Sequence, residues 1–432
     1  MPSSETTRLS RRVFLRTGGL ALVSFGLDPL FLDRAAYALG PTRRLAGRTS
    51  GKTLVCLFQR GAVDGLNMIV PHGDALYYRE RPRIAIPRDK VIDLDGHFGL
   101  HPSLASLKPF WDAGTLAVVQ AAGSPDATRS HFDAQDYMES GTPGVKSTSD
   151  GWANRYCRHH REHQETPFRS VAFGPQLPRL MAGTAPALAI DDLRTFGLGR
   201  QQRSATPGAG AVSDNLTRAF EALYAGAGTG LLASSAEESF EAVRMLREAD
   251  PSRLTPTGGA EYPRGRLGQS LMQIAQLIKS NLGVEIAFAD VGGWDTHINQ
   301  GADQGQLAQR LTELGQALGA FATDLGERMR DVCVLTMSEF GRTVRENGNG
   351  GTDHGHGTAM LVMGGGVRGK RVAGRWPGLD PEKRFEGRDV AVTTDFRDLF
   401  GEVLTRHLGA RDLAAVFPGS QPDPARFPGV MG

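Results

Sequence analysis

The chain has 432 residues, 40% of them hydrophobic, enough to bury a large core. A formal net charge of +2, with basic residues dispersed apart from Arg43, Arg44 and Arg48 and a small group from Arg368 to Arg375, excludes the strong field that draws nucleic acid or an anionic membrane surface. Three scattered cysteines, Cys56, Cys157 and Cys333, make neither a disulfide framework nor a thiolate metal site; Cys56 and Cys333 fall in apolar runs, as small buried hydrophobes do.

At the N-terminus, Ser10 to Arg16 reads "SRRVFLR", followed by a modest apolar run and by "AAYA" at 35–38, a small-x-small cleavage pattern ending at Ala38. The run is too short and too rich in glycine for a stable membrane span. The segment resembles a twin-arginine export signal. That resemblance implies a partner in the twin-arginine export machinery, a periplasmic or otherwise exported location, and a mature domain over 39–432.

Apolar runs and helical patterns then alternate. "TLVCLF" at 53–58 predicts a buried strand, "LASLKPFWDAG" a helix, and "TLAVVQAAG" at 115–123 a second strand. "DGWANRYCRHHREH" predicts a helix, whose His159, His160 and His163 read as a solvated face, and "FRSVAFG" predicts a strand. The stretch 199–215 reads as a flexible surface loop, followed by helices near 212–225 and 234–249. "RLGQSLMQIAQLIKS" continues as a helix, so about 200–280 is expected to be a helical insertion or cap. A strand follows at 284–293. Leu307, Leu311, Leu314, Leu318, Phe321 and Leu325 then step by four and three, the stripe of an amphipathic helix. Strands at 332–337 and 358–366 and a helix in "DFRDLFGEVLTRHLG" complete the order. Such alternation predicts one α/β domain with a mostly parallel central sheet and helices on both faces.

In open α/β sheets, ligands bind beyond the carboxyl ends of the strands. Beyond 53–58 stands Asp64, beyond 115–123 stand Ser130 and His131, beyond 284–289 stand Asp295 and His297, and beyond 332–337 stand Glu339 and Arg342. The stretch "GGTDHGHGTAMLVMGGG" packs Asp353, His354 and His356 against the start of the last core strand. Residues two apart in an extended segment point the same way, so Asp295 with His297, and His354 with His356, could each offer two ligands to one ion. Carboxylate and imidazole without thiolate suit zinc or manganese, and the carboxylates can also hold magnesium or calcium. Plainer roles exist for several of these. Asp64-Gly65 is a turn signal, Glu339 could sit at a helix N-terminus, and Ser130 could be an N-cap with Asp133 behind it. "GGGVRG" at 364–369 matches a dinucleotide loop by letter, but glycine and proline follow where that motif needs a helix.

Together "RGAVDGLNMIVP", "LHPSL", "RSHFDAQDYMESG", "WDTHINQ", "SEFGRTVRENGNGGTDHGHG" and "GGGVRGKRVAGRWPGL" resemble a bacterial exported family known as domain of unknown function 1501. The resemblance runs from about Thr53 to the C-terminal helix. The family usually has a second glycine where this chain has Ala62. The family is in turn similar to the alkaline phosphatase and sulfatase superfamily, which implies an alkaline-phosphatase-like fold and one or two divalent ions, zinc first. Asp64, Asp295, His297, Glu339, His354 and His356 would be the ligands. Ser130, with Thr128 as rival, would be the nucleophile, and Arg129 or Arg342 would hold the non-bridging oxygens of a phosphate or sulfate ester. The superfamily's Asp-His pair is Ser338-Glu339 here, so an imidazole is missing that His354 could supply. The other reading is an exported binding or assembly protein of the cell envelope that kept a metal site without catalysis.

Overall fold

The computed structural model describes residues 51–160, 166–194, 241–420 and 422–432. The leader and its cleavage pattern, the loop at 199–215, the helix near 212–225 and most of that at 234–249 lie outside them. Nine strands of the main sheet fall within: β1 (Thr53–Gln59), β2 (Leu116–Gly123), β3 (Ser170–Phe173), β4 (Leu188–Ile190), β5 (Ile286–Val291), β6 (Val332–Met337), β7 (Thr358–Gly364), β8 (Arg371–Ala373) and β9 (Thr394–Asp395). They lie in the order β8-β2-β7-β6-β1-β5-β3-β4, with β9 also on β2. β1 is parallel to both its neighbours, Cys56 standing opposite Phe288 of β5 and Leu335 of β6. Every pairing is parallel except those of β7, which runs antiparallel to β6 and β2.

Both faces of the sheet are covered, and alternation along each strand decides which residue goes where. From β1, Val55 and Leu57 join a core with α3 (Arg266–Lys279) and α4 (Gln306–Leu325), through residues such as Leu271, Ile274, Leu311 and Leu318. Leu54, Cys56 and Phe58 face the other way, toward α2 (Trp152–His159) and α5 (Phe396–Arg406), with Trp152, Tyr156, Leu399 and Phe400. The leucine stripe of α4 is therefore core packing. α3, the last helix of the segment expected as an insertion, also covers the sheet.

Two expectations change in detail. "LASLKPFWDAG" falls in two short helical pieces, Pro102–Leu107, which is kinked at Leu104, and Lys108–Asp112, with Pro109 in its first turn. The short edge strands β4, β8 and β9 carry no periodic signal long enough to read. Past "GGGVRG" the chain enters β8, a strand and not a helix.

The reversed strand shapes the functional edge of the sheet. β7 alone starts at the edge where β1, β2, β5 and β6 end, so the loop 338–357 leaves and re-enters the sheet on one side. α1 (His131–Ser140) begins at the same edge, after β2.

Candidate metal centre

Four strand-end segments meet at that edge. Arg342, fully buried, ties three of them together. Its Nε donates to the Ala62 carbonyl at 2.7 Å, Nη2 to the carbonyls of Gly61 at 2.6 Å and Trp294 at 3.2 Å, and Nη1 to that of Thr352 at 3.2 Å. Nη2 also donates to Asp295 Oδ1. Gly61, with φ of +118°, lets the β1 loop pass so close that an added Cβ would lie 2.8 Å from the Asp295 backbone nitrogen. Ala62, where the family motif carries glycine, is left-handed at φ of +61°.

His131, Asp295 and His354 converge so that one ligand atom from each lies within 4.8 Å of the others. His354 Nε2 is 2.9 Å from His131 Nε2 and 2.9 Å from His297 Nε2. Asp295 Oδ1 is 3.1 Å from His297 Nε2 and 3.5 Å from His354 Nε2, and its Oδ2 is 3.5 Å from His131 Nε2. The outer nitrogen of each ring is already engaged. Nδ1 of His354 donates to the Arg129 carbonyl at 2.9 Å, that of His131 to Glu339 at 2.8 Å, and that of His297 to Asp353 at 3.0 Å. A carbonyl and a carboxylate only accept, so each Nδ1 carries its proton and each Nε2 of a neutral ring turns a lone pair inward. Lone pairs 2.9 Å apart repel unless a cation lies between them. A carboxylate or carbonyl behind each imidazole is the arrangement that orients metal-binding histidines.

The electrostatic surroundings differ from ring to ring. Glu339's hydrogen bond raises the His131 pKa against the opposing effect of burial, whereas burial and the nearby His131 lower that of His354. Burial works against charge on Asp295, but the Arg342 guanidinium outweighs it and holds the carboxyl below its ordinary range. Glu339 is likewise held below its range despite burial, by His131 and Gln135 among others.

The expected site residues separate into two groups. Asp295, His297 and His354 come together with their Nε2 or carboxylate oxygens at the centre. Glu339 stands behind His131 as its acceptor, and Asp353 stands behind His297. Asp64 does not reach the centre: it is fully buried, with Oδ2 on Arg81 Nη1 at 2.6 Å and on Gln300 Nε2 at 2.7 Å. His356 turns away as well, its ring stacked on Phe385 with centroids 4.2 Å apart. The spacing of two fails to align it with His354 because the regular strand begins only at Thr358. Gly355 lies packed against the Arg342 backbone, where an added Cβ would come within 2.4 Å. Ser130 is the exposed N-cap of α1, accepting from Asp133 N at 3.4 Å. Arg129 pairs with Glu386 at 2.6 Å and Asp389 at 2.7 Å.

His131 is the member of this cluster that sequence reasoning named but did not assign. Its signal was its place: the first residue of a helix at the carboxyl edge, beside a residue already singled out.

A family model described as a protein of unknown function, DUF1501, matches residues 51–417. The chain belongs to that family. No curated protein matches it. Among solved structures, this DUF1501 chain is similar to a Bacteroides thetaiotaomicron protein from a core genetic locus for the metabolism of multiple glycosaminoglycans, labelled 4S-sulf, at 10% identity, TM-score 0.37, covering 85% of this chain and 74% of that one. It is similar to a mutant of the alkaline phosphatase PafA at 11% identity, TM-score 0.31, covering 69% and 64%. A phosphonate monoester hydrolase of Agrobacterium radiobacter follows at 12% identity, TM-score 0.31, covering 86% and 78%.

Proposed function

We propose that this DUF1501 protein is an exported, metal-dependent hydrolase of phosphate or sulfate esters. The observation that carries the metal centre is the meeting of three imidazole Nε2 atoms and the Asp295 carboxylate, each ring with its outer nitrogen already satisfied. His131, His354 and Asp295 would hold a divalent ion, zinc first, because two nitrogens and a carboxylate oxygen without thiolate make a borderline donor set. His297 stands on the solvent side, where a fourth ligand or a substrate oxygen goes. A bound ion would supply Lewis acidity toward a substrate oxygen.

The protein's own groups do the rest. Glu339 and Asp353 fix the rings, and Arg342 fixes Asp295 while joining the loops. Ser130 is the nucleophile in this reading. It is exposed at the N-terminus of α1, between Arg129, whose carbonyl holds His354, and His131 itself. Backbone N–H groups at that helix end favour negative charge developing nearby.

Metal content of tag-free protein, beside His131→Ala and His354→Ala, tests the centre; one equivalent of a divalent metal, absent from both variants, is expected. Chromogenic phosphate and sulfate esters test the chemistry, with Ser130→Ala expected to keep metal and lose turnover. A wild-type protein that retains no metal after reconstitution refutes the proposal, and turnover surviving in Ser130→Ala refutes the nucleophile. For export, replacing Arg11 and Arg12 with lysine is expected to leave the protein in the cytoplasm.

One observation favours the second reading, a non-catalytic metal-binding or assembly protein of the cell envelope. Both guanidiniums that sequence offers to an oxyanion are engaged, Arg342 by Asp295 and four carbonyls, Arg129 by two carboxylates. Under it, chelation lowers Tm and no ester is turned over at any metal loading.

A further inference from the structure

Gln300, the last residue of "WDTHINQ", is fully buried, and both polar atoms of its amide are engaged. Its Nε2 donates to Asp64 Oδ2 at 2.7 Å. Its Oε1 accepts from Thr296 Oγ1 at 2.8 Å and from Thr352 Oγ1 at 2.9 Å. A carboxylate only accepts, so the amide nitrogen faces Asp64 and the oxygen faces the two hydroxyls. Asp64 is itself pinned by Arg81 at 2.6 Å, whose guanidinium also holds the Thr343 and Val344 carbonyls at 2.8 and 2.9 Å. The orientation of the amide therefore descends from a buried charge.

The two hydroxyls belong to loops of the metal centre. Thr296 stands between Asp295 and His297, and Thr352 is followed by Asp353 and His354. Both threonines are buried. The loops touch at Gly351, where an added Cβ would lie 2.4 Å from the His297 carbonyl. Backbone bonds join them from Thr352 N to the Thr296 carbonyl at 3.2 Å, from Asn299 N to that of Asn349 at 3.0 Å and from Gln300 N to that of Gly350 at 2.9 Å. The bond closest in sequence to the ligands, Thr352 to Thr296, is the longest of these. A single acceptor, Gln300 Oε1, draws the side chains of that same pair together. The Gln300 carbonyl also accepts from Leu307 N at 3.1 Å, which ties this junction to the start of α4. An apolar side chain could fill the space, but it could neither gather both hydroxyls nor satisfy the carboxylate.

We infer that Gln300 is a positioning residue of the metal centre: it clamps the loop of Asp295 and His297 to the loop of His354, with Asp64 as the charge that orients its amide. This rests on the metal-centre reading above. Across the clamp, His354 Nε2 lies 2.9 Å from His297 Nε2 and 3.5 Å from Asp295 Oδ1. A relaxed clamp lets those atoms part, and an ion that takes its ligands at fixed distances loses affinity. Asp64 thus acts on the centre without ligating, through Gln300 and the two threonines.

Two readings test this role: zinc affinity in competition with a chromophoric chelator, and the visible spectrum of the cobalt-substituted protein, which reports ligand geometry. Gln300→Leu keeps a similar volume and removes the clamp. Zinc affinity is expected to fall by about tenfold or more, and the cobalt bands to shift. Leu318→Ala, three turns along α4 from Leu307 and in the core, is the control; it loses stability through a cavity and is expected to keep both readings. Thr296→Ser and Thr352→Ser retain the hydroxyls and are expected to bind zinc as the wild type does. Thr296→Val and Thr352→Val are expected to weaken binding, and to add little on a Gln300→Leu background, since all three remove one network. The threonine series decides the matter even where Gln300→Leu fails to fold. Wild-type affinity and spectrum in Gln300→Leu, or in both valine variants, overturn the inference while leaving the centre intact. An equal loss in Leu318→Ala overturns it too, reducing the effect to general loosening. If the wild type binds neither zinc nor cobalt, the metal centre itself fails and this role fails with it.

Discussion

Glu339→Gln probes the centre without touching a ligand. The carboxylate is fully buried, and its Oε1 accepts from His131 Nδ1, the Gly61 backbone N–H and Gln135 Nε2, each at 2.8 Å. An amide in its place keeps one oxygen for those three donors, removes the charge, and turns Oε2, the acceptor of Ser338 Oγ at 3.2 Å, into a donor. A hydrogen bond to a charged group is worth about 1 kcal/mol more than a neutral one. Loss of the carboxylate behind a metal-bound histidine costs about tenfold to a hundredfold in metal affinity, or about 1.4–2.7 kcal/mol. We expect zinc affinity, read in competition with a chromophoric chelator, to fall by that factor, while the melting temperature of metal-free protein moves by only a few degrees. Unchanged zinc affinity in Glu339→Gln, with full affinity also in His131→Ala, would show that the imidazoles do not converge on an ion.

His356→Ala is expected to retain metal and His354→Ala to lose it, which mass spectrometry of the purified proteins decides; equal loss would mean that both rings ligate. Arg81→Met strands the buried carboxylate of Asp64, so we expect destabilisation of about 3–5 kcal/mol in denaturant unfolding. His407, buried with its Nε2 on the Thr53 carbonyl, has its pKa pushed by burial down to about 4. The unfolded chain takes up this proton near pH 6.5 and the folded one only near 4, so the contribution is present above about 6.5 and is lost on acidification through that window. Stability is expected to drop by up to about 3 kcal/mol more in the wild type than in His407→Gln between those values. Gly355→Ala, forced against the Arg342 backbone, is expected to cost about 1–3 kcal/mol and to weaken metal binding in step, as thermal melts with and without zinc will report.

Much of this was legible in the sequence because sheet physics is periodic. Continuous apolar runs at 53–58, 284–288 and 332–337 mark central parallel strands, and the residues after them mark the functional edge. Asp295, His297 and His354, which the structure brings together, were singled out that way. His131 was not assigned because a helix start invites capping explanations, and the N-cap Ser130 drew the attention. His356 and Asp64 were grouped with those three, and their side chains lie elsewhere. Extended spacing says where a side chain points only inside a regular strand, and at 354–356 glycine and a close backbone neighbour turn the chain. The composition of an Asp-Gly turn cannot reveal that Arg81, seventeen residues on, will neutralise Asp64. Nor does any periodicity announce that β7 is reversed, although its direction puts His354 on the same edge as His131 and Asp295.

That reversal has a consequence for how the centre tolerates change. β6 and β7 are neighbours in the sheet, Leu335 standing opposite Val362, so the excursion that carries Glu339, Arg342, Asp353 and His354 is an oversized hairpin loop with both feet planted side by side. Closing such a loop costs only about 0.6 kcal/mol for each doubling of its length. The tip at Asn347–Gly350 can therefore lengthen or shorten without disturbing the sheet, so long as the strand feet stay in register. The sheet is insulated from that tip but the cluster is not: Asn347 donates to the His297 carbonyl at 2.9 Å and to Asp353 at 3.1 Å, so a change of tip length reaches the imidazoles through those two bonds.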